Sequence, residues 1–236
     1  MKNMNRIISV RNPKSPIAEA YRGIRTSIEF SNLDKELKVI NVTSSTQNEG
    51  KSTVIANLAV SFANLDKKVL IMEGDLRNPS VHRMFNISNV EGLTDILLGN
   101  NNFTECVNCT EVRNLHVLTC GPIPPNPSEM LSSKKIKDFV ESLRDYYDYV
   151  FIDAPPIGIV TDAGIISSYT DGCIFVVGAG EADIEMAKVS KERLEKVGAN
   201  ILGVVLNKFE ASGANGYYNY YYEQETRRTR RGRRKR

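Results

Sequence analysis

Six short runs constrain this chain more than anything else in it. They are KVINVTS (38–44), KVLIMEGD (68–75), LHVLTCG (115–121), DYVFIDAP (148–155), CIFVVGAG (173–180) and ILGVVLNKF (201–209). Each is β-branched and apolar at successive positions, so neither face is left for water. Strands of that kind belong in a parallel sheet covered by helices on both sides. Helical patterns fill the intervals: STVIANLAVSFANL (52–65) places Ile55, Leu58, Phe62 and Leu65 on one stripe, while SKKIKDFVESLRDYY (133–147) and DIEMAKVSKERLEKVG (183–198) are amphipathic. A further helix, SPIAEAYRGIRTSIEF (15–30), precedes the first strand. Strands alternating with helices predict βαβ units, hence an α/β fold with a doubly wound, mostly parallel sheet. One such domain is expected over residues 37–209, after an N-terminal helical segment (1–36). Past Phe209 the apolar pattern stops, and 210–236 reads as a disordered tail.

Composition adds limits. With 236 residues, 41% of them hydrophobic, the chain is long enough for one sizeable core. The longest apolar run is far shorter than the roughly 20 residues of a membrane span, and the N-terminus has no signal-peptide pattern, so a cytoplasmic location is expected. In that compartment the four cysteines (106, 109, 120 and 173) should be reduced. Cys106 and Cys109 form C-x-x-C, but without a second pair or a histidine cluster they read as small buried or loop thiols. His82 and His116 read as a loop and a strand residue. The net charge of +3 is misleading, because residues 223–236 hold eight of the 31 basic side chains and two of the 28 acidic ones. The remainder carries 23 against 26, so the basicity belongs to the tail.

Between the first strand and the first long helix lies TSSTQNEGKST (43–53). Its Gly50-Lys51-Ser52 is the end of a phosphate-binding loop, although Ser45 stands where the strict G-x-x-x-x-G-K-[ST] pattern opens with glycine. The position is right: backbone N–H groups and a helix N-terminus there face an anion, Lys51 neutralises its charge and Ser52 can hold Mg²⁺. Asn48 tolerates left-handed backbone and can do part of a glycine's work. Two further stretches bring acids to the same sheet edge. FIDAPP (151–156) ends a strand with Asp153, where a Walker B aspartate would reach Mg²⁺, and VLIMEGDLRNP (69–79) ends another with Glu73 and Asp75. Singly, such acids are as often solvated or helix-capping; one lysine, one hydroxyl and three carboxylates delivered to one rim are harder to explain that way.

Together with EGDLRNP, GPIPPNPSEML (121–131), VTDA (160–163), GVVLNK (203–208) and the terminal tyrosines, these stretches resemble the bacterial tyrosine kinases of capsular and exopolysaccharide systems, whose fold is that of MinD/ParA-like P-loop ATPases. The resemblance runs from about residue 14 to residue 222. It implies ATP and Mg²⁺ as cofactors. The loop Ser45, Thr46, Gln47, Asn48, Glu49, Gly50, Lys51, Ser52 and Thr53 would wrap the nucleotide, and Asn207 would touch the base. Lys51 would contact the β- and γ-phosphates. Asp75 and Asp153 would hold Mg²⁺ with Ser52, Glu73 being an additional candidate. Asp75 would also accept the proton of the incoming tyrosine, and Arg77 would sit close to the transferred phosphoryl. The sequence departs from the family at Gln47-Asn48, where relatives usually carry Pro-Gly, and at Glu73, where they carry aspartate.

The acceptors implied are Tyr217, Tyr218, Tyr220, Tyr221 and Tyr222. Glu19, Arg22 and Arg25 form E-x-x-R-x-x-R, spaced to line one helix face. Intrahelical ion pairs are the plainer reading of that spacing; in the family it joins subunits into a ring, so that each tail enters a neighbour's site. The resemblance also implies a membrane-anchored adaptor that activates the kinase and draws it to the inner face of the membrane, and a cognate tyrosine phosphatase. The terminal TRRTRRGRRKR could touch anionic lipid but lacks the interleaved aromatics of a specific nucleic-acid reader. Two other readings share the fold: a MinD/ParA-like positioning ATPase, and a nucleotide-binding scaffold without catalysis. The tyrosine cluster and E-x-x-R-x-x-R speak against the first, and the rim carboxylates against the second.

Overall fold

The computed structural model describes residues 7–31 and 36–209. Its core is one seven-stranded sheet: β1 (Val39–Ser44), β2 (Val69–Glu73), β3 (Val107–Cys109), β4 (Leu115–Leu118), β5 (Tyr149–Asp153), β6 (Gly172–Gly178) and β7 (Ile201–Asn207), in the spatial order β3-β4-β2-β5-β1-β6-β7. Every pairing is parallel except β3 with β4. Successive residues explain why the strands are apolar throughout. Ile40, Ile71, Phe151 and Ile174 enter one core, while their neighbours Val39, Leu70, Ile152 and Cys173 enter the other. The first core is covered by α1 (Ile8–Arg11), α2 (Pro16–Ser31), α3 (Lys51–Ala63) and α4 (Val81–Phe85). On the second lie α5 (Leu93–Leu98), α6 (Phe103–Cys106), α7 (Pro127–Ser132), α8 (Lys134–Leu143), α9 (Asp162–Ser167) and α10 (Ile184–Lys196). The α/β, doubly wound reading therefore holds.

Four expectations need correction. A seventh strand exists, because β3, in the C-x-x-C stretch, pairs antiparallel through only three residues and is too short for any periodicity to register. The single stripe on α3 is wrong: the helix lies between the sheet and α1, α2 and α4, and every residue from Val54 to Ala63 is buried. Leu65 falls beyond its end and is 48% exposed. At the sheet margin β7 has, among the described residues, β6 alone beside it, with Val204 and Leu206 more than half exposed instead of buried on both faces. His82 sits in α4 and not in a loop.

The sheet order positions the site. From β1 the chain crosses over α3 to β2, skipping the place later taken by β5, and β6 adds on the other side of β1. Such an arrangement opens a crevice at the carboxyl ends of the strands. α3 begins at this crevice with Lys51, and near its other end Phe62 packs against the sheet, the ring centroids 4.2 Å from Tyr149 and 5.5 Å from Phe151.

Candidate active site

The loop after β1 is held from inside by its own glutamate. Glu49 is buried and accepts hydrogen bonds from Ser45 Oγ (2.9 Å to each oxygen), from the Thr46 N–H (2.7 Å) and from the Gly178 N–H of β6 (3.3 Å). Asn48 adopts the left-handed conformation, φ 65°, which is the backbone turn that a missing glycine would have supplied. Gly50 is also left-handed at φ 95°, and a Cβ there would lie 2.0 Å from Asn207 Nδ2, which itself donates to the Glu49 carbonyl at 2.9 Å. α3 starts at the next residue, Lys51. Gly50→Ala should therefore weaken Mg-ADP binding by at least about a hundredfold, measured with a fluorescent nucleotide, because both its backbone and its space are denied to any side chain.

Above the loop opens a cleft of about 700 Å³. Gln47, Asn48, Gly50, Lys51, Ser52, Thr53, Asp75 and Asn207 line it, as the sequence suggested. Ser45, Thr46 and Glu49 do not: the Glu49 carboxylate turns back behind the loop to the Ser45 hydroxyl and the Thr46 N–H. Asn78, Ser80, Arg83, Met84, Pro156 and Lys208 also line it and were not singled out. Asn78, Pro156 and Lys208 lie in or beside recognised motifs, and Ser80 follows one closely; Arg83 and Met84 stand on α4, a five-residue helix that left no periodic signal.

The acids behave differently from one another. Ser52 Oγ donates to Asp153 Oδ2 at 2.5 Å, and Ser80 Oγ lies 2.6 Å from Ser52 Oγ. Asp153 Oδ1 is buried with no hydrogen-bond partner among the described residues. Burial pushes the Asp153 carboxyl up to about 6, against the pull of Lys51 and Ser52, with the Asp75 charge raising it further. Burial likewise raises Asp75, opposed by the Asn78 N–H and by Lys51. Glu73 is raised well above the carboxylate range, by burial first and by the Asp153 charge second. Its longer side chain accepts N–H bonds from Ser80 (2.6 Å), Val81 (2.9 Å) and Asp75 (3.2 Å), so its oxygens are already engaged by backbone.

This donor set fits Mg²⁺. The ion is commonly held by one or two carboxylates together with substrate phosphates, and an orphaned buried oxygen on Asp153 beside a hydroxyl and a second acid supplies the protein's share. Among the described residues nothing accepts a hydrogen bond from Lys51 Nζ, while its charge is felt by both Asp75 and Asp153. Arg77 is not on the cleft: it is bound to Asp162 and Ser128. On α2, Glu19 and Arg22 pair with each other, Arg22 also reaching the Pro13 carbonyl at 2.8 Å. Arg25 turns inward to the Ser61 carbonyl of α3 at 2.9 Å, so the three do not share one exposed face. The five tail tyrosines and the arginine-rich terminus lie outside the described residues.

The family model of ParA, described as NUBPL iron-transfer P-loop NTPase, matches residues 36–230. The chain is 42% identical over 214 residues to tyrosine-protein kinase YwqD of Bacillus subtilis (strain 168), covering 90% of each. Its fold is similar to the chimerical protein CapA2B2 (TM-score 0.84, 42% identity, 87% of this chain and 90% of the other). It is also similar to the septum site-determining protein MinD complexed with Mg-ADP from Pyrococcus horikoshii OT3 (TM-score 0.63, 26% identity, 75% and 72%).

Proposed function

This chain belongs to the bacterial tyrosine-protein kinases built on the ParA/MinD-like P-loop fold, and from that premise we propose that it moves the γ-phosphoryl of ATP onto the tyrosine cluster of another copy of itself, thereby regulating capsular or exopolysaccharide synthesis and export. One observation carries the reading. Lys51, Ser52 and Asp75 line one cleft, and Asp153, buried behind Ser52 and accepting its hydroxyl, keeps one buried oxygen without a partner among the described residues.

Phosphoryl transfer asks little of side chains beyond placement and charge. The backbone of the loop from Ser45 to Thr53 cradles the phosphates, and Lys51 at the first turn of α3 offsets the negative charge that spreads over the transferred group. Asn207, hydrogen-bonded to the loop through the Glu49 carbonyl, is the residue we assign to the base. Asp153, Asp75 and Ser52 would hold Mg²⁺, which when bound supplies charge neutralisation between the phosphates. An ordinary phenol has a pKa near 10, so it needs a proton acceptor at neutral pH. Asp75, on the cleft wall, is the acceptor we assign.

The acceptors proposed are Tyr217, Tyr218, Tyr220, Tyr221 and Tyr222. Transfer between copies needs them to meet, and the segment Glu19–Arg25 is the proposed site of ring-like assembly. No helix among the described residues is long and apolar enough to cross a membrane, so attachment at the membrane is assigned to an anchored adaptor, with the basic terminus touching anionic lipid. A tyrosine phosphatase would reverse the modification, whose added charge repels the tails and opens the assembly.

The test is intact-mass measurement in Mg-ATP, with and without a candidate adaptor segment. Changing all five tail tyrosines to Phe keeps the rings but removes the hydroxyls; nucleotide binding should survive while self-phosphorylation falls to a small remainder. Mixed with Lys51→Met chains, this variant should phosphorylate the latter alone. Equal phosphate on the five-Phe chain would place the acceptors elsewhere, and no phosphate on any chain would favour a positioning ATPase of the MinD kind.

A further inference from the structure

Three stretches that stand far apart in sequence meet at one polar cluster beside the cleft. Arg77 leaves the turn after β2, Ser128 lies in the first turn of α7, and Asp162 is the first residue of α9. Arg77 Nε donates to Asp162 Oδ2 at 2.7 Å, and Nη2 donates to Asp162 Oδ1 at 3.1 Å and to Ser128 Oγ at 2.7 Å. Ser128 Oγ in turn donates to Asp162 Oδ1 at 2.8 Å. The Asp162 side chain is 0% exposed and that of Arg77 is 42% exposed. A buried carboxylate is costly without a cation, and a guanidinium fork is the group that satisfies both of its oxygens at once.

The same turn carries Asp75. Its Oδ1 accepts the N–H groups of Asn78 (2.9 Å) and Arg77 (3.3 Å), so the backbone folds around that carboxylate. The inner side of the turn is thus set by Asp75 and the outer side by the guanidinium.

We infer that Arg77, Ser128 and Asp162 form a clamp that positions Asp75 for phosphoryl transfer, with Arg77 acting as a positioning residue held off the phosphates. The clamp rests on the kinase reading given above. Two features support it. For Arg77 to turn toward a phosphoryl group it would have to abandon Asp162, leaving that buried carboxylate without its cation. Second, α7 and α9 lie against each other, so the anchor for the turn is a packed pair of helices and not a loose side chain. Small displacements of a reacting group cost rate more than they cost binding.

The test is a set of variants in the full chain, read as kcat and KM for ATP together with Mg-ADP affinity. Asp162→Asn keeps the shape but not the charge, and Arg77→Lys keeps the charge but not the fork. Each should lower kcat by about ten- to a hundredfold, with KM and Mg-ADP affinity within about twofold. Ser128→Ala should cost about threefold. The double variant Arg77→Lys/Asp162→Asn should be no slower than the slower single variant, because both changes break one unit. If Asp162→Asn works at the parental rate, or if the two losses multiply as they would for an arginine that touches the phosphoryl on its own, the clamp is wrong. Should Asp162→Asn fail to bind Mg-ADP, Ser128→Ala and Arg77→Lys/Ser128→Ala decide by the same rule: multiplied losses overturn the clamp and a shared loss supports it. A parental chain that gains no phosphate in this assay sinks the kinase reading and the clamp with it, whereas an active parent beside a fully active Asp162→Asn sinks the clamp alone.

Discussion

Lys51→Met should lower tyrosine phosphorylation by at least about a thousandfold, the loss expected when a preorganised cation is withdrawn from a developing phosphoryl charge. The side chain stands at the start of α3, on the cleft wall, and is only half-buried. Methionine keeps its length and most of its apolar stem, so the core beneath is untouched. What disappears is the ammonium that Asp75 and Asp153 feel. Stability without nucleotide should change by less than about 1 kcal/mol, since the charge is partly solvated. Phosphate incorporation followed by intact mass, beside a thermal melt, separates these effects. A variant that phosphorylates at the parental rate would mean that the loop does not hold the transferred group.

Asp153→Asn is the second large effect, and its two readouts should move in opposite directions. Activity should fall by about a hundred- to a thousandfold, because the buried oxygen without a partner among the described residues is the one we assign to Mg²⁺. The metal-free protein should become more stable. With its carboxyl pushed up to about 6, the native state keeps a proton that the unfolded chain releases near pH 4. Stability therefore falls as the pH rises through the window from about 4 to about 6, and stays lower above it. Asparagine removes that penalty while still accepting the Ser52 hydroxyl. In EDTA at pH 7.5 the variant should gain on the order of 2 kcal/mol over its parent, and the gain should vanish at pH 4. Added Mg²⁺ should stabilise the parent and not the variant. Lower metal-free stability in the variant would show that Asp153 is an ordinary structural acid.

Burial on both faces is a property that residues wear openly, and so the central strands were legible: VINVTS and YVFID are too short and too β-branched for buried helices and are buried at every position. Sheet order is not local in this sense. Nothing within ILGVVLN says that one flank has no neighbour among the described residues, and three residues of β3 cannot express a period. That Lys51, Ser52, Asp75 and Asp153 come together was legible, because a glycine-lysine-serine loop after one strand and acids ending two others fall at the same edge of a parallel sheet. The inward turn of Glu49 was not, since its partner Gly178 lies 129 positions away. Nor was the diversion of Arg77, whose carboxylate partner is 85 positions along the chain. The spacing of Glu19, Arg22 and Arg25 was read correctly as helical, but the turn of Arg25 toward Ser61 depends on where α3 lies, which the spacing does not contain.

Glu49 also changes what kind of binding event this loop can undergo. A glycine-rich loop free of internal ties has to condense around its ligand, and part of the attraction is lost in quieting it. Here a carboxylate has already drawn Ser45, Thr46 and β6 together, so the quieting was completed when the chain folded. The nucleotide then meets a finished receptor, and its arrival is a matter of diffusion and fit. That also explains how Gln47 and Asn48 can stand at the crest in place of Pro-Gly: the shape is kept from below, and Asn48 tolerates the left-handed turn that the crest still requires.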